Sequence, residues 1–317
     1  MQENKCINGS KAFTRSLKLM GNRFEITAVA SAEEWANTCI DAAIAEIQRI
    51  EKLLTTFNEE SETCQINKYA GISPVQVSEE TFQLIRRSVR ISKITQGAFD
   101  ISYGSVDKDL WNFNIGMKSL PDKETAAKMV RLINYRNIIL DEENLTVFLK
   151  EPGMRIGFGG IGKGYAADRA KMIMKEMGME SGIINASGDL AVWGTQPGGE
   201  AWTIGIVNPN MAGEAFSYFK MKNMAVATSG SYEKFVMIDG KKYSHTINPR
   251  TGLPVAGIKS VTIISPNAEI ADAMATPVMI MGIRAGLDMV NQIKDLEAIL
   301  IDDHDQIYTS VNIHFNQ

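Results

Sequence analysis

The sequence is poor in cysteine and has no long hydrophobic run, and each shortage argues against a class of protein. Its 317 residues contain three cysteines and three histidines. An odd number of cysteines without metal-ligand spacing argues against a disulfide framework, and free thiols are expected. No run of about eighteen apolar residues occurs, so no transmembrane helix is predicted.

The net charge of the chain argues against a nucleic-acid partner. The formal net charge is −4, whereas a nucleic-acid-binding surface needs a basic field, so no nucleic-acid partner is expected. The opening residues, MQENKCINGS, are polar and lack a secretory hydrophobic segment, and Asn4-Lys5 before Cys6 is not a lipobox. Two interpretations stay open at this point: a cytoplasmic N-terminus, or an exported chain whose signal has been trimmed.

Helical and strand patterns are mixed along the chain, which predicts an α+β fold. Apolar residues recur at helical spacing over 32–56 and 78–97, whereas 16–30 alternate around a Gly-Asn turn. A helix over 268–282 is expected to be interrupted at Pro277, and Asp239-Gly240 predicts a hairpin. Residues 57–71 are polar and predict turns.

The domain organisation follows from the same mixture of elements. Many strands joined by tight turns favour mixed or antiparallel sheets with packed helices over a doubly wound parallel sheet. We therefore predict a single compact unit over 1–317. Within it we expect an N-terminal lobe over 1–150 and a C-terminal lobe over 151–317.

The stretch GFGGIGKG, residues 157–164, matches two phosphate-binding patterns in part and satisfies neither. Its glycines fit G-x-G-x-x-G but do not open a βαβ unit, and the P-loop pattern fails at Gly164. A glycine run before a helix still allows close backbone approach to an anion, and Lys163 at the helix start favours an anion there. The alternative is a crowded helix start that needs glycine for packing alone.

Two other clusters carry chemistry. Asp272 and Thr276 lie four residues apart, on one face of a predicted helix, and offer hard oxygen ligands suited to Mg²⁺. A solvated acidic turn is the alternative that spacing alone favours, although the neighbouring alanines argue against it. His245, in YSHTINPRTG, is a candidate general base or phosphate ligand, and a structural histidine that caps a hairpin is the alternative.

Nine segments, in order along almost the whole chain, resemble motifs of the ApbE family of Mg²⁺-dependent FAD:protein FMN transferases. They are LMGNRFEI, GAFDISYGSV, LWNF, GFGGIGKGYAADRA, INASGDL, AVATSGSYEKF, SHTINPRTGLP, SVTIISP and ADAMAT. The resemblance implies transfer of FMN from FAD to a Thr or Ser hydroxyl of a partner flavoprotein, with release of AMP. Two alternatives stay open: a Mg²⁺-dependent FAD pyrophosphatase giving FMN and AMP, and a non-catalytic FAD-binding protein.

The resemblance also implies roles for particular residues. Mg²⁺ would be held by Asp272, Thr276 and the carbonyl of Gly160, and His245 would be the catalytic base. The residues expected to contact FAD are Met20, Phe57, Ala98, Phe99, Asp100, Gly157, Lys163 and Thr246.

Two positions depart from the family's pattern. Gly157 stands where the family commonly has aspartate, and Phe57 where tyrosine is frequent. The change at Gly157 removes a carboxylate expected to contact FAD, whereas Phe57 keeps a stacking ring. Because many relatives are exported, the resemblance also implies a periplasmic or cell-envelope location, anchored to the membrane through an N-terminal lipid; a cytoplasmic location is the alternative.

Overall fold

The computed structural model describes residues 9–107, 119–207, 215–230, 235–238, 240–244 and 246–313. These residues form seven α-helices, fifteen β-strands and two short 3₁₀ segments, Ile101–Ser105 and Tyr135–Asn137. The helices are α1 (Glu33–Leu54), α2 (Glu62–Lys68), α3 (Glu79–Ile94), α4 (Lys123–Met129), α5 (Gly162–Glu176), α6 (Ala268–Met281) and α7 (Ile283–Val290). The strands are β1 (Lys11–Leu19), β2 (Asn22–Ala30), β3 (Val75–Gln76), β4 (Ile138–Asp141), β5 (Thr146–Leu149), β6 (Gly182–Ala186), β7 (Asp189–Trp193), β8 (Trp202–Val207), β9 (Ala215–Met221), β10 (Ala225–Gly230), β11 (Phe235–Ile238), β12 (Lys241–Ser244), β13 (Ile258–Ser265), β14 (Glu297–Asp302) and β15 (Ile307–Thr309).

The two long N-terminal helices confirm the periodicity-based predictions. In α1 the buried residues recur every three or four positions from Ala36 to Leu54, so one apolar face meets the core. Helix α3 begins after Ser78, whose Oγ accepts a hydrogen bond from Thr81 N at 3.3 Å. After α3, Gly97 adopts a φ of +84°, the left-handed conformation that often follows a helix end.

Helix α2 contradicts the prediction of turns over 57–71. Ser61 Oγ caps it by accepting from Cys64 N at 3.1 Å. Thr63 and Ile66 are buried, so the short helix is held by its contacts with the rest of the molecule. A seven-residue helix is too short to show a helical period against polar neighbours, which is why the pattern failed here.

One large antiparallel sheet organises the fold, with the strand order β1-β2-β6-β7-β10-β13-β14-β15. Leu19 pairs with Asn22, so the first hairpin turns at Met20-Gly21, one residue earlier than predicted. Smaller antiparallel sheets contain β3-β5-β4, β8-β9 and β11-β12. Pairing of Ile238 with Lys241 confirms the predicted hairpin at 239–240. The α+β prediction with antiparallel sheets is confirmed.

The two faces of the large sheet bury different partners. Helices α1, α5 and α6 cover one face, in contact with β2, β6, β7, β10 and β13. The β8–β9 hairpin covers the other face, where Trp202 packs in a second core with Val192 of β7. Alternation along β7 places Ala191 and Trp193 in the main core under the helices. Asp189, two residues before Ala191, therefore faces the helices as well.

Helix α6 runs through Pro277 to Met281, so the predicted interruption is wrong. Proline removes one backbone hydrogen bond from a helix, but it does not end a helix whose burial compensates for that loss. Pro277 is buried, and the next two residues, Val278 and Met279, are 0% and 1% exposed. Hydrophobic packing on both sides of the proline thus holds the last turn.

The large sheet draws strands from both halves of the sequence: β1 and β2 precede residue 31, and the other six strands follow residue 181. The division into lobes over 1–150 and 151–317 stays a prediction. Within the described ranges, no helix is both long and apolar enough to cross a membrane.

Candidate functional site

Helices α5 and α6 meet where both begin, and each supplies a carboxylate to the first turn of the other. Asp272 of α6 accepts a hydrogen bond from Gly164 N of α5 at 3.0 Å. Asp168 of α5 accepts one from Glu269 N of α6 at 2.9 Å. Neither helix has a capping hydrogen bond from its own N-cap side chain. The two carboxylates therefore take over the capping of the unpaired N–H groups and hold the helix starts together.

Close packing at this contact explains the glycine that breaks the P-loop pattern. A Cβ on Gly164 would lie 2.2 Å from Ala268 O, which no real side chain allows. A Cβ on Gly157 would come no closer than 3.8 Å to Thr56, and one on Gly159 would meet nothing within 4 Å. The two explanations of the glycine run thus apply to different glycines: packing at Gly164, and the wall of a groove at Gly157 and Gly159.

Lys163 lies between two buried carboxylates. Its ammonium contacts Asp189 Oδ2 directly and lies 3.6 Å from Asp272 Oδ1. Asp189 and Asp272 are only 4% and 7% exposed. A cation is unfavourable at a helix N-terminus, and these carboxylates compensate for it. The anion that the sequence predicts beside Lys163 is thus supplied, at least in part, by the protein itself.

Burial and like charge shift the pKa values of this cluster. Burial, and then the Asp272 carboxylate, raise the pKa of Asp189 to about 7 although Lys163 opposes the shift. Burial also raises the pKa of Asp272, against opposing effects of Lys163 and the Gly164 N–H. Burial disfavours the charge of Lys163, but Asp272 and Asp189 outweigh it and raise the pKa of the lysine. Two carboxylates against one ammonium leave one excess negative charge when both are ionised.

Asp189 is the member of this cluster that the sequence interpretation missed. It lies in the INASGDL segment, but it is assigned no role from the sequence. The local signal was available: Asp189 follows the Ser187-Gly188 turn and alternates with the apolar Ala191. That pattern places a carboxylate on the inward face of a strand.

A groove of about 360 Å³ adjoins the cluster, within the usual range of about 300–1,000 Å³ for small-molecule sites. Four residues predicted to contact FAD line it together: Met20, Phe57, Gly157 and Lys163. Met20 adopts a φ of +50° in the first hairpin, a conformation that is uncommon for a long side chain. Phe57 is 97% exposed at this groove, so its ring is open to solvent there.

The other predicted FAD contacts lie on segments joined to this groove. Gly157 N donates to Ile101 O at 2.9 Å, which ties the groove wall to the segment that follows Ala98, Phe99 and Asp100. Ala98 and Phe99 are buried. The Asp100 carboxylate is already engaged, accepting from Ser102 N at 2.8 Å, Ser102 Oγ at 2.6 Å and Tyr135 N at 2.7 Å. This carboxylate therefore shapes the local backbone, and its contact with FAD stays a prediction.

Two further predicted residues, Thr246 and Gly160, lie beside the segment that contains Phe99 and Tyr103. Ile247 N, next to Thr246, donates to Tyr103 Oη at 3.4 Å. A Cβ on Gly160 would lie 3.7 Å from Phe99 Cε2, so Gly160 borders the Phe99 ring. The predicted base, His245, lies outside the described residues.

Thr276 and Glu269, both on α6, contact different partners. Thr276 Oγ1 lies 3.4 Å from Ser229 Oγ of β10, one turn after Asp272. Glu269 forms two hydrogen bonds with Arg87, at 2.6 and 2.9 Å, and lines a cleft of about 670 Å³ further along α5. Lys163, Asp189 and Asp272 do not line this larger cleft. The candidate site is therefore assigned from the charged groups of the cluster and not from the volume of a cavity.

The oxygen donors at this site are compatible with a divalent cation that is bound by few protein carboxylates. Asp272 Oδ2 accepts from Gly164 N, whereas the Lys163 ammonium lies 3.6 Å from Oδ1, beyond a normal hydrogen bond. No group of three or more His, Cys, Asp or Glu side chains that could hold a metal occurs among the described residues. Mg²⁺ usually keeps several waters and shares substrate phosphates, so a carboxylate with hydroxyl and carbonyl oxygens suits it. The excess negative charge of the cluster when both carboxylates are ionised supports the same conclusion.

Fold and site together define an α+β protein whose buried carboxylates and lysine, beside a ligand-sized groove, are compatible with phosphate and a cation. The profile of the ApbE family matches residues 20–300, and the chain belongs to this family. It is 31% identical over 306 residues to a FAD:protein FMN transferase of Klebsiella pneumoniae, across 96% of this chain and 93% of that protein. A FAD:protein FMN transferase of Treponema pallidum is 26% identical over 293 residues, across 86% of this chain and 81% of that protein.

Solved structures show the same architecture. The crystal structure of the ApbE protein from Thermotoga maritima matches with a TM-score of 0.84 and 29% identity, across 95% of this chain and 97% of that chain. The flavin transferase ApbE from Vibrio cholerae matches with a TM-score of 0.82 and 23% identity, across 95% and 98% of the two chains, and shows a likeness of fold. The family resemblance found in the sequence is confirmed.

Proposed function

We propose that this protein transfers FMN from FAD to a Thr or Ser hydroxyl of a partner flavoprotein. The observation that carries the proposal is the unbalanced Lys163–Asp189–Asp272 cluster beside the groove, in a chain that belongs to the ApbE family. Relatives named FAD:protein FMN transferase support the same reaction. A pyrophosphate substrate suits such a site because its negative charge needs both a cation and a fixed ammonium.

In this proposal the chain's residues divide between binding and charge compensation. Met20, Phe57 and Gly157 bind the flavin nucleotide along the groove, together with the segment 98–100 and Thr246. Lys163 stabilises the phosphates electrostatically. Asp272, Thr276 and the Gly160 carbonyl would hold Mg²⁺, which would supply charge neutralisation at the pyrophosphate when bound.

The proposed reaction breaks one phosphoanhydride bond and forms one phosphoester bond. The acceptor hydroxyl oxygen bonds to the phosphorus of the FMN half, and AMP leaves with the bridging oxygen. His245 is proposed to take the hydroxyl proton as general base. Water in place of the hydroxyl would give FMN and AMP, which is the pyrophosphatase reaction.

The test is incubation of the purified chain with FAD, Mg²⁺ and a purified flavoprotein domain that carries a target Thr. Covalent flavin on the acceptor, seen as a fluorescent band on a denaturing gel and as a mass increase of one FMN unit, supports transfer. Free FMN and AMP without labelled acceptor would support the pyrophosphatase instead. Bound but unchanged FAD would contradict both enzymatic functions and support a flavin-binding protein. An acceptor with Thr changed to Val is the matched control.

A further inference from the structure

Lys163 is shared unequally between its two carboxylates. The ammonium contacts Asp189 Oδ2 directly, whereas Asp272 Oδ1 lies 3.6 Å away. Asp272 is bound on its other oxygen by Gly164 N at 3.0 Å. The lysine is therefore drawn towards Asp189, and its ammonium lies beyond normal hydrogen-bond distance of Asp272 Oδ1.

Asp189 is held in place by the sheet. It is the first residue of β7, directly after the Ser187-Gly188 turn, and it pairs with Ala186 of β6. The backbone N–H of Thr228 on β10, the strand on the other side of β7, also acts to lower the pKa of its carboxylate. Asp189 thus belongs to the rigid sheet, while Lys163 and Asp272 belong to the helices that cover it.

We infer that Asp189 is a positioning residue that holds Lys163 aside from Asp272, so that Asp272 is available to a divalent cation. This inference rests on the proposed function for the role of the cation. Without Asp189, the lysine has a single buried carboxylate left, Asp272, and pairs with it. A metal ion must then compete with an ammonium for the same oxygens, which weakens metal binding.

A different role for Asp189 makes a different prediction. If its carboxylate bound the metal itself, its removal would weaken metal binding whether or not Lys163 was present. If it acts through Lys163, its removal matters only while the lysine is present. A double-mutant cycle separates the two roles.

The experiment titrates Mn²⁺ alone into the full chain and measures free Mn²⁺ by electron paramagnetic resonance. We expect Asp189→Asn to weaken Mn²⁺ binding about tenfold, and Asp189→Glu to restore most of the loss. In a Lys163→Met background, Asp189→Asn should change the Mn²⁺ affinity less than about twofold. The matched control is Asp302→Asn, which changes a buried aspartate that accepts from backbone N–H groups, and it should leave the affinity unchanged.

A second readout does not require the Lys163→Met variants to fold. Acetic anhydride labelling of Lys163, followed by mass spectrometry, should be insensitive to Mn²⁺ in the wild type. In Asp189→Asn, Mn²⁺ should increase labelling because the metal displaces the lysine from Asp272.

Three outcomes overturn the inference. They are an equal loss of Mn²⁺ affinity with and without Lys163, an unchanged affinity in Asp189→Asn, and a wild-type chain that binds no Mn²⁺. None of these readouts involves flavin, so they are separate from a failure of FMN transfer. A chain that fails to transfer FMN but shows the coupled Mn²⁺ effect would leave this inference standing.

Discussion

Two charged clusters lie along helix α5, and they differ in charge balance. The inner cluster is Lys163, Asp189 and Asp272. The outer cluster contains matched acidic and basic groups, with Tyr165 donating to Glu80: Glu46, Arg49, Glu80, Arg87, Tyr165, Arg169 and Glu269. Three arginines face three glutamates in the outer cluster, whereas one lysine faces two aspartates in the inner one.

The direction of the pKa shifts shows what the difference means. Hydrogen bonds from Arg49 hold the pKa values of Glu46 and Glu80 below their usual range. Burial instead raises the pKa values of Asp189 and Asp272. The outer cluster satisfies its own charges and joins α1, α3, α5 and α6. The inner cluster has two carboxylates for one ammonium and therefore favours the binding of a cation, as is typical of a binding site.

The largest expected effect comes from removing one inner charge. Asp272→Asn keeps an oxygen that can accept from Gly164 N but loses the negative charge. We expect Mg²⁺-dependent FMN transfer to fall at least about a hundredfold, because charge neutralisation at the pyrophosphate is lost. Initial rates against Mg²⁺ concentration measure this.

The matched variant for that test lies in the outer cluster. Glu269→Gln breaks the pair with Arg87 and should leave the transfer rate within about twofold of the wild type, while it lowers stability by about 1–2 kcal/mol. Full activity in Asp272→Asn, or a comparable loss in Glu269→Gln, would remove the functional distinction between the clusters.

The contact that joins the helix starts can be broken sterically. Gly164→Ala puts a methyl group against Ala268 O and should lower the free energy of unfolding by about 3 kcal/mol. Gly157→Ala, whose methyl group would meet nothing closer than 3.8 Å, should change it by less than about 1 kcal/mol. Urea denaturation of both variants measures the difference. Equal stabilities would show that α5 and α6 can separate without cost.

A further test of the inner site changes Gly157, where the family resemblance predicts an aspartate. Gly157→Asp introduces the carboxylate that the family resemblance predicts at this position, without a steric conflict, since the nearest atom to a Cβ there is 3.8 Å away. We expect FAD affinity to increase about tenfold through one charge-assisted hydrogen bond. Isothermal titration with FAD measures it, and Gly159→Asp, on the same groove wall, is the control expected to show no gain. A weaker affinity in Gly157→Asp would show that this chain binds FAD differently from its relatives.

The smallest expected effect concerns the acid stability of the outer cluster. Because the folded-state pKa values of Glu46 and Glu80 are lowered, their contribution is present above the unfolded value of about 4.3 and is lost as the pH falls below it. Arg49→Gln should therefore lower stability at pH 7 by about 0.5–1 kcal/mol and flatten the loss on acidification. Thermal unfolding between about pH 3 and pH 7 measures this. An unchanged acid slope in Arg49→Gln would contradict it.

Local patterns were sufficient for the elements that depend on neighbouring residues. The period of α1, the Ser78 cap of α3 and the 239–240 hairpin are all set within a few residues, and the structure confirms them. Patterns failed where burial decided the outcome. Contacts with the rest of the molecule hold α2 in a polar segment and carry α6 through Pro277.

The same distinction between local patterns and tertiary contacts applies to the candidate site. Asp272 and Thr276 could be paired from their spacing, because a helix places such residues on one face. Asp189 could not be paired with Lys163 from spacing, since the two lie 26 residues apart on a strand and a helix. Residue types identified the chemistry, but no local rule indicated which two carboxylates would share the lysine.

The sequence by itself determined the α+β class, the positions of α1 and α3, the 239–240 hairpin and membership of the ApbE family, because these depend on periodicity, turn chemistry and motif order. Only the tertiary structure decided that Gly164 is a packing residue and that Asp272 caps α5 from 108 residues away. It also decided that Asp189 engages Lys163. The physical reason is that charge balance in a buried cluster depends on which groups share the same low-dielectric space, and chain folding alone brings them there.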